Sequence, residues 1–267
     1  TSLSFASVDD TTTLVPTVRD ANNNTISGAT VTWATSSSSV ATVSSAGLVT
    51  SVANGSATIT ATSGSASATA TVTVAQTAAN LVLSDSILTF ASLDGTTQLT
   101  ATVTDANGEV IDGATVTWAT SSSSVATVSS TGLVTSVANG SATITATSGS
   151  VNQTAAVTVS QAAASVTLSP TSLSFASLSD TATLVATVKD ANNNTIPSPT
   201  VTWTTSSSSV ATVSSAGLVT AIANGSATIT ATSGSVNQTA AVTVSQVASS
   251  VTLTPTSLSF ASVDDTT

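Results

Sequence analysis

Serine and threonine hydroxyls recur throughout this 267-residue chain, but hydroxyl chemistry needs a partner that the sequence does not hold. Runs of four serines stand at 36–39, 121–124 and 206–209, with no His to act as a base and no Cys as another nucleophile. The only lysine, Lys189, belongs to one copy of a segment that appears three times, so Lys–Asn cross-linking could serve at most one copy. The serine runs read as exposed loops between strands. No catalytic and no cofactor-binding residue is expected.

Metal chemistry has one opening. Asp105, Asn107, Glu109 and Asp112 crowd oxygen ligands into one loop, as calcium prefers. The matching loops, Asp20–Thr25 and Asp190–Thr195, hold one carboxylate each, and the spacing is not that of a helix–loop–helix calcium site. The favoured reading is that Asp and Asn satisfy a turn through their own side chains, with calcium as the one cofactor this loop would suit. Asp9-Asp10 and Asp264-Asp265 are paired acids near a strand end, read as solvated. Glycan modification has a chemical opening at the Asn-x-Ser/Thr sites Asn23, Asn54, Asn139, Asn152, Asn193, Asn224 and Asn237. Three of these already have a turn role.

Aromatic chemistry is confined to few residues. Trp33, Trp118 and Trp203 are the only tryptophans, each 85 residues after the last. Exposed, they could stack on sugars. Set between Val and Ala or Thr on strands, they read instead as the structural core of one small domain per repeat.

The elements that hold these residues follow from the same period. Thr1-Ser-Leu-Ser-Phe5 recurs at Ser86–Phe90, Thr171–Phe175 and Thr256–Phe260. This predicts domains at 1–76 (lacking its opening strand residues), 81–160 and 166–246, with the start of a fourth repeat at 251–267. Thr1–Thr12 and Thr256–Thr267 are identical, which predicts a three-domain unit that itself repeats in a longer array. In the middle repeat, Leu81–Leu83 and Ile87–Ala91 read as a split first strand. Gln98–Thr104 alternates, with Leu99, Ala101 and Val103 on one face. Ala114–Thr120 carries Trp118, Val125–Val128 and Leu133–Val137 follow, and two further alternating runs place Ala142, Ile144, Ala146 and then Ala155, Val157, Val159 inward.

Asn139-Gly140, like Asn54-Gly55 and Asn224-Gly225, sits between two alternating runs and predicts a type I′ hairpin turn. About seven short strands per repeat around one Trp describe an all-β, two-sheet sandwich. The linkers Ala75–Asn80 and Gln161–Ser165 lack Gly and Pro, which predicts close joints between domains.

Composition limits the partners. Twelve acids face two bases, Arg19 and Lys189, for a net charge of −10. Without clustered Lys and Arg the chain has no means of binding nucleic acid. No apolar run approaches the roughly 20 residues of a spanning helix, so no membrane insertion is expected in this segment. Charged residues are 5% of the chain, against about a quarter in ordinary soluble proteins. Little repulsion therefore opposes self-association, and self is the expected partner.

The phrases Val-Thr-Trp, Ser-Ser-Val-Ala-Thr-Val, Gly-Leu-Val-Thr and Asn-Gly-Ser-Ala-Thr-Ile-Thr-Ala-Thr together resemble the group 2 bacterial immunoglobulin-like domain, three times over. The resemblance implies tandem Greek-key immunoglobulin-like sandwiches serving as a rod or spacer of an extracellular or cell-surface fibre. A self-associating filament, the solitary stalk of an adhesin and a decoration of a virion surface are its three expected forms. Within the filament form, Val251–Leu253 is a candidate strand donor to the first domain, but Thr1–Ala6 already supplies the second half of that strand, and truncation of a longer chain is the favoured reading of both ends.

Overall fold

The computed structural model describes residues 1–254, 256–259 and 262, and its regular elements are all β-strands. β-Branched side chains fit a pleated, half-buried surface, and here the longest strands, such as Ala66–Val74 and Gly140–Ser148, alternate Ala, Val or Ile with Thr or Ser. The first repeat forms β1 (Ser2–Phe5), β2 (Thr11–Thr13), β3 (Thr32–Thr35), β4 (Ala41–Val43), β5 (Leu48–Ser51), β6 (Gly55–Ser63) and β7 (Ala66–Val74). The middle repeat forms β8 (Asn80–Leu83), β9 (Ile87–Phe90), β10 (Thr96–Gln98), β11 (Ala101–Thr104), β12 (Thr117–Thr120), β13 (Ala126–Val128), β14 (Leu133–Ser136), β15 (Gly140–Ser148) and β16 (Val151–Val159). The third forms β17 (Ser165–Ser169), β18 (Ser172–Phe175), β19 (Thr181–Thr183), β20 (Val185–Lys189), β21 (Thr202–Thr205), β22 (Ala211–Val213), β23 (Leu218–Ala221), β24 (Gly225–Ser233) and β25 (Val236–Val244). Two compact units result, Thr1–Ser160 with the first two repeats and Gln161–Thr267 with the third.

In the middle repeat one sheet runs β12-β15-β16-β9 and the facing layer holds β10-β14-β13 with the β11-β8 pair. The chain changes layer between β12 and β13 and again between β14 and β15, a Greek-key path. The first strand is split as expected, and each half joins a different layer: β8 pairs with β11, β9 runs parallel to β16. The run expected at Gln98–Thr104 is likewise divided, with β10 on β14 and β11 on β8. Leu99 and Val103 still face inward and are buried.

Of the expected start of a fourth repeat, residues 251–254 and 256–259 form no strand. Phe260, Asp264 and Asp265 lie outside the described residues.

Two expectations need correction. Asn54-Gly55, Asn139-Gly140 and Asn224-Gly225 are not hairpin turns, because β5, β14 and β23 do not pair with β6, β15 and β24. They are crossings between layers. Gly55, Gly140 and Gly225 have φ near +145°, whereas the preceding asparagines keep ordinary negative values. The asparagine carboxamides bind the next linker: Gln76 N donates to Asn54 Oδ1 at 2.7 Å and Gln246 N to Asn224 Oδ1 at 2.9 Å. The tight hairpin lies one strand later, at Gly64-Ser65, Gly149-Ser150 and Gly234-Ser235. Gly at the first central position with φ of 56–59° is the type II′ form.

The tryptophans are half-buried rather than at the centre. Ile59, Ile144 and Ile229 fill the centre, and the indoles pack against the core from its flank.

Candidate functional site, a polar joint between repeats

The loop singled out for metal ligands is where the first two repeats meet. Asp105 follows β11, and its backbone N–H and C=O close the turn on Glu109 O and Gly108 N. Its Oδ1 accepts the N–H groups of Asn107 and Glu109, both at 3.0 Å. Its Oδ2 accepts Val8 N, 97 residues away in the first repeat, at 2.9 Å. The same oxygen takes Gln76 Nε2, from the linker, also at 2.9 Å. Asn107 Nδ2 donates back to Val8 O at 2.7 Å and to Asp10 Oδ1 at 3.1 Å.

The opposing loop is itself braced. Buried Ser51 Oγ donates to Ser7 O at 2.8 Å, and Ser7 N donates to Asp10 Oδ2. Gln76 is tied on its far side to Asn54 through both backbone and carboxamide. First repeat, linker and second repeat thus converge on one carboxylate that is 2% exposed.

The electrostatics follow. Burial alone pushes the Asp105 carboxyl upward, but hydrogen bonds from Gln76, Val8, Glu109 and Asn107 outweigh it and hold the group below its ordinary value. A lowered folded value means that the contribution is fully present above the ordinary carboxylate range near pH 4 and is lost as pH falls through the folded value. The stability difference between the native chain and Asp105→Asn, read by urea unfolding, should be constant from about pH 8 to 5 and close below about pH 4. A difference that closes between pH 5 and 8 would contradict this assignment.

This geometry gives Asp105 a different task from calcium binding. A cation needs free lone pairs, whereas both Asp105 oxygens face N–H donors and Asn107 turns its nitrogen, not its oxygen, into the joint. Glu109 and Asp112 point to solvent. Among the described residues no group of three acidic, His or Cys side chains gathers. The serine runs bond within themselves and to nearby strands, with Ser37 Oγ and Ser39 Oγ 2.9 Å apart. What this arrangement does is hold one sandwich against the next.

A scan of family models matches the bacterial Ig-like domain (group 2) at residues 5–74, 88–159 and 162–244. The chain belongs to this family. Ice-binding protein 1 of Shewanella frigidimarina is 35% identical to this chain over 162 residues, 59% of the chain and 18% of that protein. The chain thus spans under a fifth of the length of that curated relative. Solved structures also align along most of the chain. They include domains 1–6 of the surface layer protein SbsC (23% identity, 92% of this chain and 39% of that one, TM-score 0.33). The Escherichia coli adhesin FdeC also aligns (18% identity, 90% and 93%, TM-score 0.39).

The three Ig-like repeats share the joint's parts but use them differently. Asp190 is buried and takes Gln161 Nε2 at 2.9 Å, with Asn192 and Asn194 N–H on its other oxygen. Asp20 keeps the same local turn, its carboxyl held low first by Asn24, but is exposed. Sequence reasoning missed Gln76 and Gln161. The available signal was their shared spacing with Gln246, each 85 residues on.

Proposed function

We propose that this chain is a rod-forming spacer of an extracellular surface protein and has no catalytic role. Bacterial Ig-like repeats that merely followed one another on free linkers would tumble, so a spacer needs braced joints. The Asp105 joint carries this reading, because Val8 N of the first repeat and Gln76 Nε2 of the linker both donate to the Asp105 carboxylate of the second, and Asn107 Nδ2 donates back to Val8 O and Asp10 Oδ1. Charge-assisted hydrogen bonds of this kind are the strong ones. The relative from Shewanella supports it too: a 162-residue match inside a far longer protein named for binding ice suits repeats that hold some other part at a distance. Location outside the cell, and self-association into a fibre, belong to the same reading.

The chain has no cysteine, so spin labels can be placed at will. With labels at Ser45→Cys and Ser130→Cys, both exposed, pulsed electron resonance should give one narrow distance. Adding Gln76→Ala should broaden it severalfold while each repeat stays folded. A broad distribution in the parent chain would overturn the spacer reading.

A further inference from the structure

The four-stranded sheet of each repeat ends on its tryptophan strand. Among the described residues β12 pairs only with β15, as β3 does with β6 and β21 with β24. Thr143 shows which backbone groups face outward. Ser121 N donates to Thr143 O, and Thr143 N donates back to Ser121 Oγ, both at 2.9 Å. Antiparallel ladders bond at alternate residues, so Ala119 opposite Thr145 and Thr117 opposite Thr147 also turn their N–H and C=O toward β15. Trp118 and Thr120 turn theirs away from the sheet. They line its edge with donors and acceptors that have no backbone partner among the described residues.

Edges of this kind are ordinarily blunted by a charge, a Pro or a bulge. Thr32-Trp-Ala-Thr35, Thr117-Trp-Ala-Thr120 and Thr202-Trp-Thr-Thr205 hold no charge and no Pro, and their registers on the neighbouring strand are unbroken. Across the described strands Lys189 alone is charged. We propose that β12 of one copy pairs antiparallel with β12 of a second copy, joining two four-stranded sheets into one, and that β3 and β21 offer the same edge. The occupant follows from the edge. A row of unpaired backbone groups takes an extended backbone, and a second copy brings one with the same spacing and no opposing charge. The opposite edge of the sheet, β1, β9 or β18, is followed by Asp9, Asp94 or Asp180, so two such edges would set like charges close together.

Side chains choose the register. With Ala119 on the two-fold axis, Trp118 falls opposite Thr120 of the second copy, and each such pair exchanges its backbone N–H and C=O. Ala119 then meets Ala119 of the second copy in a non-hydrogen-bonded pair, where Cα atoms lie about 4.5 Å apart. A methyl group is small enough for that place, and Thr204 of the third repeat suits it too, since Thr–Thr pairs across strands are favourable. A shift of one residue in each strand would instead set Trp118 against Trp118. The contact uses the same patch on both copies and is isologous. Three edges on one chain let a copy hold more than one neighbour. This pairing rests on the self-association part of the reading above and fails separately from the spacer part, which the distance measurement decides.

The test compares the native chain with A34K/A119K/T204K, which places a lysine on each edge. All three positions are exposed, and circular dichroism checks that the fold is kept. In sedimentation the native chain should gain mass with concentration while the lysine variant stays monomeric. A119T, which copies the third repeat, should sediment as the native chain does. Cysteine trapping reads the register. Under mild oxidation Ala119→Cys should form a disulfide-linked dimer at least about tenfold faster than Ser130→Cys, an exposed loop position, because facing residues of a non-hydrogen-bonded pair lie within disulfide reach. A lysine variant that gains mass as the native chain does would overturn the edge pairing and leave self-association standing. A native chain that stays monomeric would overturn both. Equal trapping of the two cysteine variants would overturn the pairing as well.

Discussion

Gly132→Ala should destabilise the middle repeat by about 3–5 kcal/mol, because two independent penalties meet at one atom. Gly132 has φ of +87°, a conformation that L side chains rarely adopt. A Cβ built there would lie 2.5 Å from the carbonyl oxygen of Leu99 and 2.9 Å from Cζ2 of Trp118. Neither neighbour is free to retreat: Leu99 N is itself bonded to Gly132 O at 3.0 Å, and the ring is wedged against the core. Backbone strain contributes about 1–3 kcal/mol and overpacking a similar amount. A domain whose whole stability is about 5–15 kcal/mol would lose a large fraction. Urea unfolding followed by circular dichroism should show an early transition separate from that of the other repeats. A shift below about 0.5 kcal/mol, the range of a surface change, would mean the close approach is not real. Gly47 and Gly217 repeat the arrangement under Trp33 and Trp203, so the same substitution there should act alike.

Trp118→Ala should cost about 3 kcal/mol, toward the lower end of the range for large aromatic truncations because the ring is half-exposed. The indole reaches both the central cluster around Ile144 and the flank formed by Leu81, Val103 and Ala146, so its loss opens both. The same unfolding experiment reads it, and a loss of only a few tenths of a kcal/mol would place the ring on the surface. The two substitutions should not add. Removing the ring relieves one of the two clashes of Gly132→Ala, while the Leu99 carbonyl and the positive φ remain. The double variant should therefore be more stable than the sum by about 1 kcal/mol, as coupled neighbours are.

Much of this was legible in the residues themselves. Ala142, Ile144 and Ala146 alternate with threonine, and only a two-residue period buries all three on one side of a strand. The 85-residue spacing of the tryptophans marked three copies of one sandwich, and the phrases around them marked the family. The asparagine–glycine pairs misled because alternation on either side shows that two strands exist but not that they pair with each other. Here they belong to opposite layers. The tryptophan was placed too deep because residue type reports affinity for the interior, while depth depends on what the partner layer supplies. That position went to Ile59, Ile144 and Ile229.

The Asp105 loop separates the two kinds of information. Its sequence determined a tight turn, since the carboxylate of an Asp-Ala-Asn run can accept N–H groups two and four residues on, and Asp20, Asp105 and Asp190 all do so. Local chemistry was enough for that. Whether the second carboxylate oxygen would meet solvent, a cation or another repeat was settled only in three dimensions, where Val8 and Gln76 arrive from 97 and 29 residues away. No local pattern encodes such contacts, because they exist only once two sandwiches have packed.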